Sequence, residues 1–294
     1  MAWAELSDCR CFYEVHGDGE PLILIPGLAA TSQMWDPVAA DFAQFFSVIQ
    51  FDNRGVGKSI AKRDAKTLPD LVSDIVELFD RLQLDRAHVL GVSLGGIIAQ
   101  RLAIDHPSRV GRLVLVSCCD TFSPYLRQMS SLLAHTLRRF PKEMFIRTLE
   151  LLATAPEFLD AHSDVVEQRV LHKCRNRVSA RAVGNQMRCL ATAEMAPDHY
   201  RIHSPTLVVA GEYDPIIPSC YSKRMADKIP GSKYMLVRGA GHNPIIDHPR
   251  DIIPNVIEFL RADEVDGEQL QTIESFVPYF GGFSAGVVHG GDVS

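Results

Sequence analysis

Ala87-His88-Val89-Leu90-Gly91-Val92-Ser93-Leu94-Gly95-Gly96 sets a serine between a short apolar run and the start of a longer helical one. Ala87 to Leu90 has strand length, and Leu94 to Asp105 reads as a helix. A side chain at the turn between them is forced into strained backbone geometry, and small neighbours at 91 and 95 let the chain pass closely around it. The Ser93 hydroxyl then projects at a helix amino terminus, where the dipole and free N–H groups favour negative charge.

Similar alternation extends along the chain. Leu22–Ile25, Phe46–Phe51, Arg112–Val116, Thr206–Ala210 and Lys233–Val237 are further short apolar runs that end near Gly, Asp or Ser. Between them, Leu68–Leu82 repeats Leu71, Ile75, Leu78, Phe79 and Leu82 at helical spacing. Six buried strands alternating with amphipathic helices predict an α/β fold, a mostly parallel central sheet with helices on both faces. Cys11–Val15 adds a candidate antiparallel edge hairpin, and Arg250–Arg261 reads as a helix that Pro254 should kink or break.

From about Phe122 to Tyr200 there is no strand-like run, but several helical ones, including Met129–Phe140, Lys142–Ala153 and Ser163–Cys174. The expected organisation is a core domain over 1–121 and 202–262, with an inserted helical cap over 122–201 above the sheet's carboxyl edge. Residues 263–294, acidic and then glycine-rich, read as a flexible tail.

The 294 residues carry 30 Lys and Arg against 36 Asp and Glu, a formal charge of -6 that offers no broad basic surface to a phosphate backbone. Nucleic acid is therefore not expected as a partner. No apolar stretch reaches the roughly 18 residues of a membrane span, and Met1–Arg10 lacks the features of a secretory signal. Both point to a soluble cytoplasmic protein. The seven cysteines form no paired CxxC set, so buried thiols are expected rather than a metal site.

Serine is a weak nucleophile at neutral pH and needs a base, which in turn needs a carboxylate to fix its tautomer. His242, in Gly239-Ala240-Gly241-His242-Asn243 after the strand ending at Val237, is the best placed of eleven histidines. Asp214, in Gly211-Glu212-Tyr213-Asp214-Pro215 after the strand ending at Ala210, is the carboxylate of choice. Glu212 and Asp120 are its rivals. The first reads as a solvated or loop-bracing charge, the second as a helix cap with a possible reserve role. Two backbone N–H groups, those of Leu94 and of Leu28 in Pro26-Gly27-Leu28-Ala29, are placed to hold a developing oxyanion. Leu132, Leu133, Met144, Phe145 and Leu149 could line an acyl pocket, but at their spacing they read as plain core.

On Pro26-Gly27-Leu28, Phe51-Asp52-Asn53-Arg54-Gly55-Val56-Gly57-Lys58-Ser59, the Ser93 turn, Gly211–Pro215 and Gly241-His242, the chain resembles the α/β-hydrolases. The likeness covers about residues 10–262 and lies with the esterase, lactonase and carbon-carbon hydrolase branch. The order Ser, Asp, His along the chain is that of the family's triads. The resemblance implies cleavage of a small-molecule ester or lactone with no cofactor and no metal. The alternatives are carbon-carbon bond hydrolysis with the same triad, and a ligand-binding receptor or scaffold. It also implies that the Asp52–Ser59 stretch shapes the site's wall. That stretch is not a phosphate loop, because a Walker sequence requires glycine where Asp52 stands. Ile25-Pro26-Gly27 departs from the family's common His-Gly, which leaves the backbone donor but removes a side chain that braces the loop.

Overall fold

The computed structural model describes residues 1–176, 178–191, 193 and 198–262. The expected tail over 263–294 lies outside them. Nine strands form one sheet: β1 (Ala2–Glu5), β2 (Cys9–His16), β3 (Glu20–Ile25), β4 (Phe46–Phe51), β5 (Ile60–Ala61), β6 (Ala87–Val92), β7 (Val110–Val116), β8 (Thr206–Gly211) and β9 (Lys233–Val237). Their order is β1-β2-β4-β3-β6-β7-β8-β9, with β5 against β2. The six strands from β4 through β9 along this path are parallel. They coincide with the six apolar runs of the sequence. β1 and β2 pair antiparallel at the edge, so the hairpin expected around Cys11–Val15 is present and longer.

Helices α1 (Asp36–Ala43), α2 (Leu68–Arg81) and α3 (Leu94–Asp105) alternate with the early strands. Between β7 and β8 come α4 (Pro124–Arg139), α5 (Lys142–Ala153), α6 (Pro156–Ala161), α7 (Ser163–Arg175) and α8 (Ala180–Ala191). α9 (Ser219–Ala226), α10 (Pro244–Asp247) and α11 (Pro249–Arg261) complete the fold. Thr67 and Asp70 close a capping box at the start of α2, whose Leu71, Ile75, Leu78 and Phe79 are buried as their spacing requires. One face of the sheet packs with α2, α3 and α9, and the other with α1 and α11. A third apolar cluster, including Leu133, Phe145, Val170 and Met187, joins the inserted helices to one another. Of the seven cysteines, Cys9, Cys11, Cys118, Cys119 and Cys189 are buried free thiols, Cys174 is half-buried, and Cys220 is exposed. No helix among the described residues is long and apolar enough to cross a membrane.

Pro254 does not break its helix: α11 runs without interruption to Arg261. Its buried stripe of Ile252, Ile253, Val256, Phe259 and Leu260 packs against the sheet, while Pro254 stands on the exposed side. Water can reach the carbonyl that the missing N–H leaves unpaired there, so packing outweighs the lost bond. Replacing Pro254 by Ala restores a helical donor worth about 3 kcal/mol in propensity, against up to about 1 kcal/mol of unfolded-chain entropy. We expect Pro254→Ala to stabilise the protein by about 2 kcal/mol, read as a raised midpoint in urea at unchanged slope.

Candidate active site

Ser93 joins β6 to α3 with φ 54° and ψ −117°, a conformation that costs a side chain about 1–3 kcal/mol. Close packing holds it there. A Cβ on Gly91 would lie 2.3 Å from the Gly95 carbonyl oxygen, and one on Gly95 would lie 2.1 Å from that of Ile25. The Ser93 amide donates to the Val116 carbonyl at 2.9 Å, and the Ser93 carbonyl accepts from Ile97 at 3.0 Å. The elbow is thereby fastened to β3, to β7 and to its own helix. The Leu94 amide opens α3 and so has no intrahelical acceptor. Its side chain is buried.

The loops after β8 and β9 are brought together by a similar approach. A Cβ on Gly211 would lie 2.0 Å from the Gly241 carbonyl oxygen. Asp214 Oδ1 accepts from the amides of Ile216 at 2.8 Å and Ile217 at 2.9 Å, which fixes the carboxylate plane. Its Oδ2 lies 2.7 Å from His242 Nδ1. Asp214 is 4% exposed and His242 6%, so bulk water does not compete for this bond. An ionised carboxylate only accepts, so Nδ1 carries the proton and Nε2 of the neutral ring is left as an acceptor. The His242 backbone is anchored as well: its amide donates to the carbonyl of Ala153, at the end of α5, at 2.8 Å.

The rival carboxylates are engaged elsewhere. Glu212 accepts from the Gly239 amide at 3.1 Å and braces the histidine loop. Asp120 is buried and bound by Arg224 at 2.5 Å and by Lys228.

Ser93, His242 and Leu28 line one cavity of about 550 Å³ between the sheet's carboxyl edge and the inserted helices. Asp214 lies behind His242, outside its lining. Of the five apolar residues read as core, Leu133 and Leu149 line this cavity, Phe145 is buried among the helices, and Leu132 and Met144 are exposed. The reading as core holds for Phe145 and Leu133, both buried in the cluster of the inserted helices, and fails for the exposed Leu132 and Met144; Leu133 and the half-buried Leu149 also form part of the cavity wall. Periodicity identifies an inward face but not whether that face meets packing or a void.

The Asp52–Ser59 stretch stands one layer behind the cavity and lines none of it. Asp52 accepts from the amides of Ser32 and Lys58, each at 2.7 Å, and Asn53 donates to the Pro26 carbonyl at 3.3 Å. Arg54 forms a buried bidentate pair with Asp74 at 2.6 and 2.8 Å. The motif thus holds the loop that carries Leu28. Two ion pairs to buried carboxylates escaped sequence reasoning: Asp247 with the partly exposed Arg169 at 2.5 Å, and Glu150 with the partly exposed Lys173. Both tie α7 to neighbours of His242, and since the partners are 78 and 23 residues apart, no local pattern announces them.

The family model for the alpha/beta hydrolase fold matches residues 20–249. This chain belongs to the α/β-hydrolase fold family. Among proteins similar to it is "Putative carbamate hydrolase RutD" of Caulobacter sp. (strain K31), 27% identical over 257 residues, covering 86% of this chain and 96% of that protein. A hydrolase from Pseudomonas aeruginosa PA01 superposes with a TM-score of 0.81 at 28% identity, over 89% of this chain and 98% of that one. The enol-lactonase from Burkholderia xenovorans LB400 superposes at 0.82 with 21% identity, over 89% and 100%, which shows the shared α/β-hydrolase fold.

Asp120 supplies a pH-dependent contribution to stability. Burial works against its charge, but hydrogen bonds from Arg224, Lys228 and Thr121 outweigh it and hold the carboxyl down at about 2. A depressed carboxyl stabilises the fold above its unfolded value, near 3.9, and that contribution is lost as pH falls toward 2. Asp120→Asn should therefore lower stability at pH 6 and flatten its decline between pH 4 and 2, followed by urea unfolding across that range.

Proposed function

We propose that this hydrolase cleaves a carboxylic ester or lactone through an acyl-enzyme on Ser93. The observation that carries the reading is the 2.7 Å bond from His242 to buried Asp214, in a ring that shares its cavity with a serine on a strained elbow.

In this reading His242 Nε2 takes the Ser93 proton as Oγ bonds to the substrate carbonyl carbon, whose π pair moves onto oxygen. The Leu28 and Leu94 amides hold that oxyanion, each donor being worth roughly 10² to 10³ in turnover. Collapse expels the alcohol, protonated by the imidazolium, and leaves the acyl group on Ser93. Water then gives its proton to His242, attacks the ester, and releases the acid with Ser93 restored. Asp214 stabilises the imidazolium through both halves. The inserted helices serve as a cap that closes the cavity over the substrate, and their Leu133 and Leu149 give it an apolar wall.

A carbamate presents the same electrophilic carbonyl, and the Caulobacter relative bears that name. Carbamates therefore belong beside short aryl esters and lactones in a substrate panel. Product analysis separates these from carbon-carbon cleavage, in which the leaving group is a carbon acid. The decisive experiment is mass spectrometry after exposure to a fluorophosphonate, wild type beside Ser93→Ala, with the panel assayed in parallel. One adduct on the wild type, and loss of both adduct and turnover in the variant, are expected. An unlabelled, inactive wild type overturns the reading in favour of a binding protein. Asp214→Asn leaves the histidine in the wrong tautomer and should lower kcat by about 10⁴-fold.

A further inference from the structure

We infer that Tyr125, in the first turn of helix α4, is a positioning residue that holds the Asp214 carboxylate against His242. The inference rests on the hydrolase reading above and deepens it.

The Pro215–Ile216 peptide is held from both sides. Its N–H donates to Asp214 Oδ1 at 2.8 Å, and its carbonyl accepts from the Tyr125 hydroxyl. A peptide unit is planar, so the N–H cannot turn without carrying the carbonyl along. Any rotation that takes the Ile216 amide off the carboxylate also takes the Pro215 oxygen off the phenol. The two hydrogen bonds therefore resist the same motion, and the other oxygen of that carboxylate, Oδ2, is the atom 2.7 Å from His242 Nδ1. The Ile217 amide, 2.9 Å from Oδ1, is a second donor, but acting alone it leaves the carboxylate a pivot.

The turn around Asp214 is local, whereas Tyr125 reaches it from 90 residues away in the inserted segment. A bond from a phenol that is 41% exposed contributes little if the ring must be ordered to form it. Here the ring is already ordered. It stacks on Tyr221 with 6.2 Å between centroids and 26° between planes. The Tyr221 hydroxyl accepts from Ser123 at 3.0 Å, and the Ser123 oxygen also caps α4 by accepting from the Leu126 amide at 3.3 Å. Arg224 lies 5.0 Å from the centre of the Tyr221 ring and is bound in turn by buried Asp120. Burial, and after it the nearby Asp214 charge, raises the Tyr125 hydroxyl above the ordinary phenol value, so it stays a donor across the pH range in which a histidine serves as base.

Tyr125→Phe removes the hydroxyl and keeps the stacked ring. In the active enzyme kcat should fall about tenfold, with KM within about twofold of wild type, because a carboxylate free to pivot stabilises the imidazolium less. The pH profile separates aim from charge. Losing a donor without losing aim would leave the carboxylate more basic and raise the His242 pKa, whereas losing aim weakens the pair and lowers it. The acidic limb of kcat/KM should therefore move to lower pH, by about half a unit. In an Asp214→Ala background there is no carboxylate to hold, and the same substitution should change the residual turnover by less than about twofold. If Tyr125→Phe fails to fold, Tyr125→Leu carries the same test. A folded variant that keeps kcat within about twofold, a loss confined to KM, an acidic limb that stays or rises, or a full loss that persists without Asp214 would each overturn the inference. A wild type inert to fluorophosphonate and to the whole substrate panel would instead overturn the underlying reading.

Discussion

Gly95 passes the Ile25 carbonyl so closely that a Cβ would stand 2.1 Å from it, and the rest of the site is arranged around that approach. It seats the first turn of α3 against the end of β3, which brings the Leu94 amide close to the loop after Ile25. Only a chain without side chains on both flanks of the elbow can turn so sharply, and the strain concentrated at Ser93 follows from it. The sheet supplies the rigidity that sustains this strain, because β6 lies between β3 and β7 and cannot relax sideways.

A second constraint comes from the helices inserted between β7 and β8. They pack on one another through their own apolar cluster, yet they also reach the segments that carry His242 and Leu28 by polar contacts. The Ala153 carbonyl holds the His242 amide, Arg169 pairs with Asp247 five residues beyond it, and Gln186 holds the Ala29 amide. The cavity is therefore bounded by two layers whose relative position is set by hydrogen bonds and ion pairs as well as by apolar contact. Buried polar contacts of this kind are directional, and each leaves an unsatisfied partner if the layers shift.

The Asp52–Ser59 motif illustrates how a recognisable pattern can have a role one step removed from the chemistry. A Cβ on Gly57 would lie 2.2 Å from Asp52 Oδ2, so the loop folds tightly over that carboxylate while its two oxygens accept from Ser32 and Lys58. The result is a brace behind the loop that carries Leu28, supplied from the core side by Asp52 and Asn53.

The parallel strands and the serine elbow were legible in the sequence because they depend on neighbours in the chain: apolar runs of strand length, and glycines two residues either side of Ser93. Asp214 and His242 were legible because each lies in a loop directly after such a strand, and the structure joins them at 2.7 Å. The break considered at Pro254 is absent because propensity ignores the five buried residues that hold α11 in place. That Leu133 and Leu149 also line the cavity was not legible, because helical spacing cannot distinguish a packed face from a cavity wall. The sequence by itself determined which residues are candidates to react, since strand, turn and glycine placement are local properties. Only the tertiary structure decided how they are aimed, because Ala153 and Arg169 act on loops 89 and 78 residues away, and such contacts exist only once the sheet has formed.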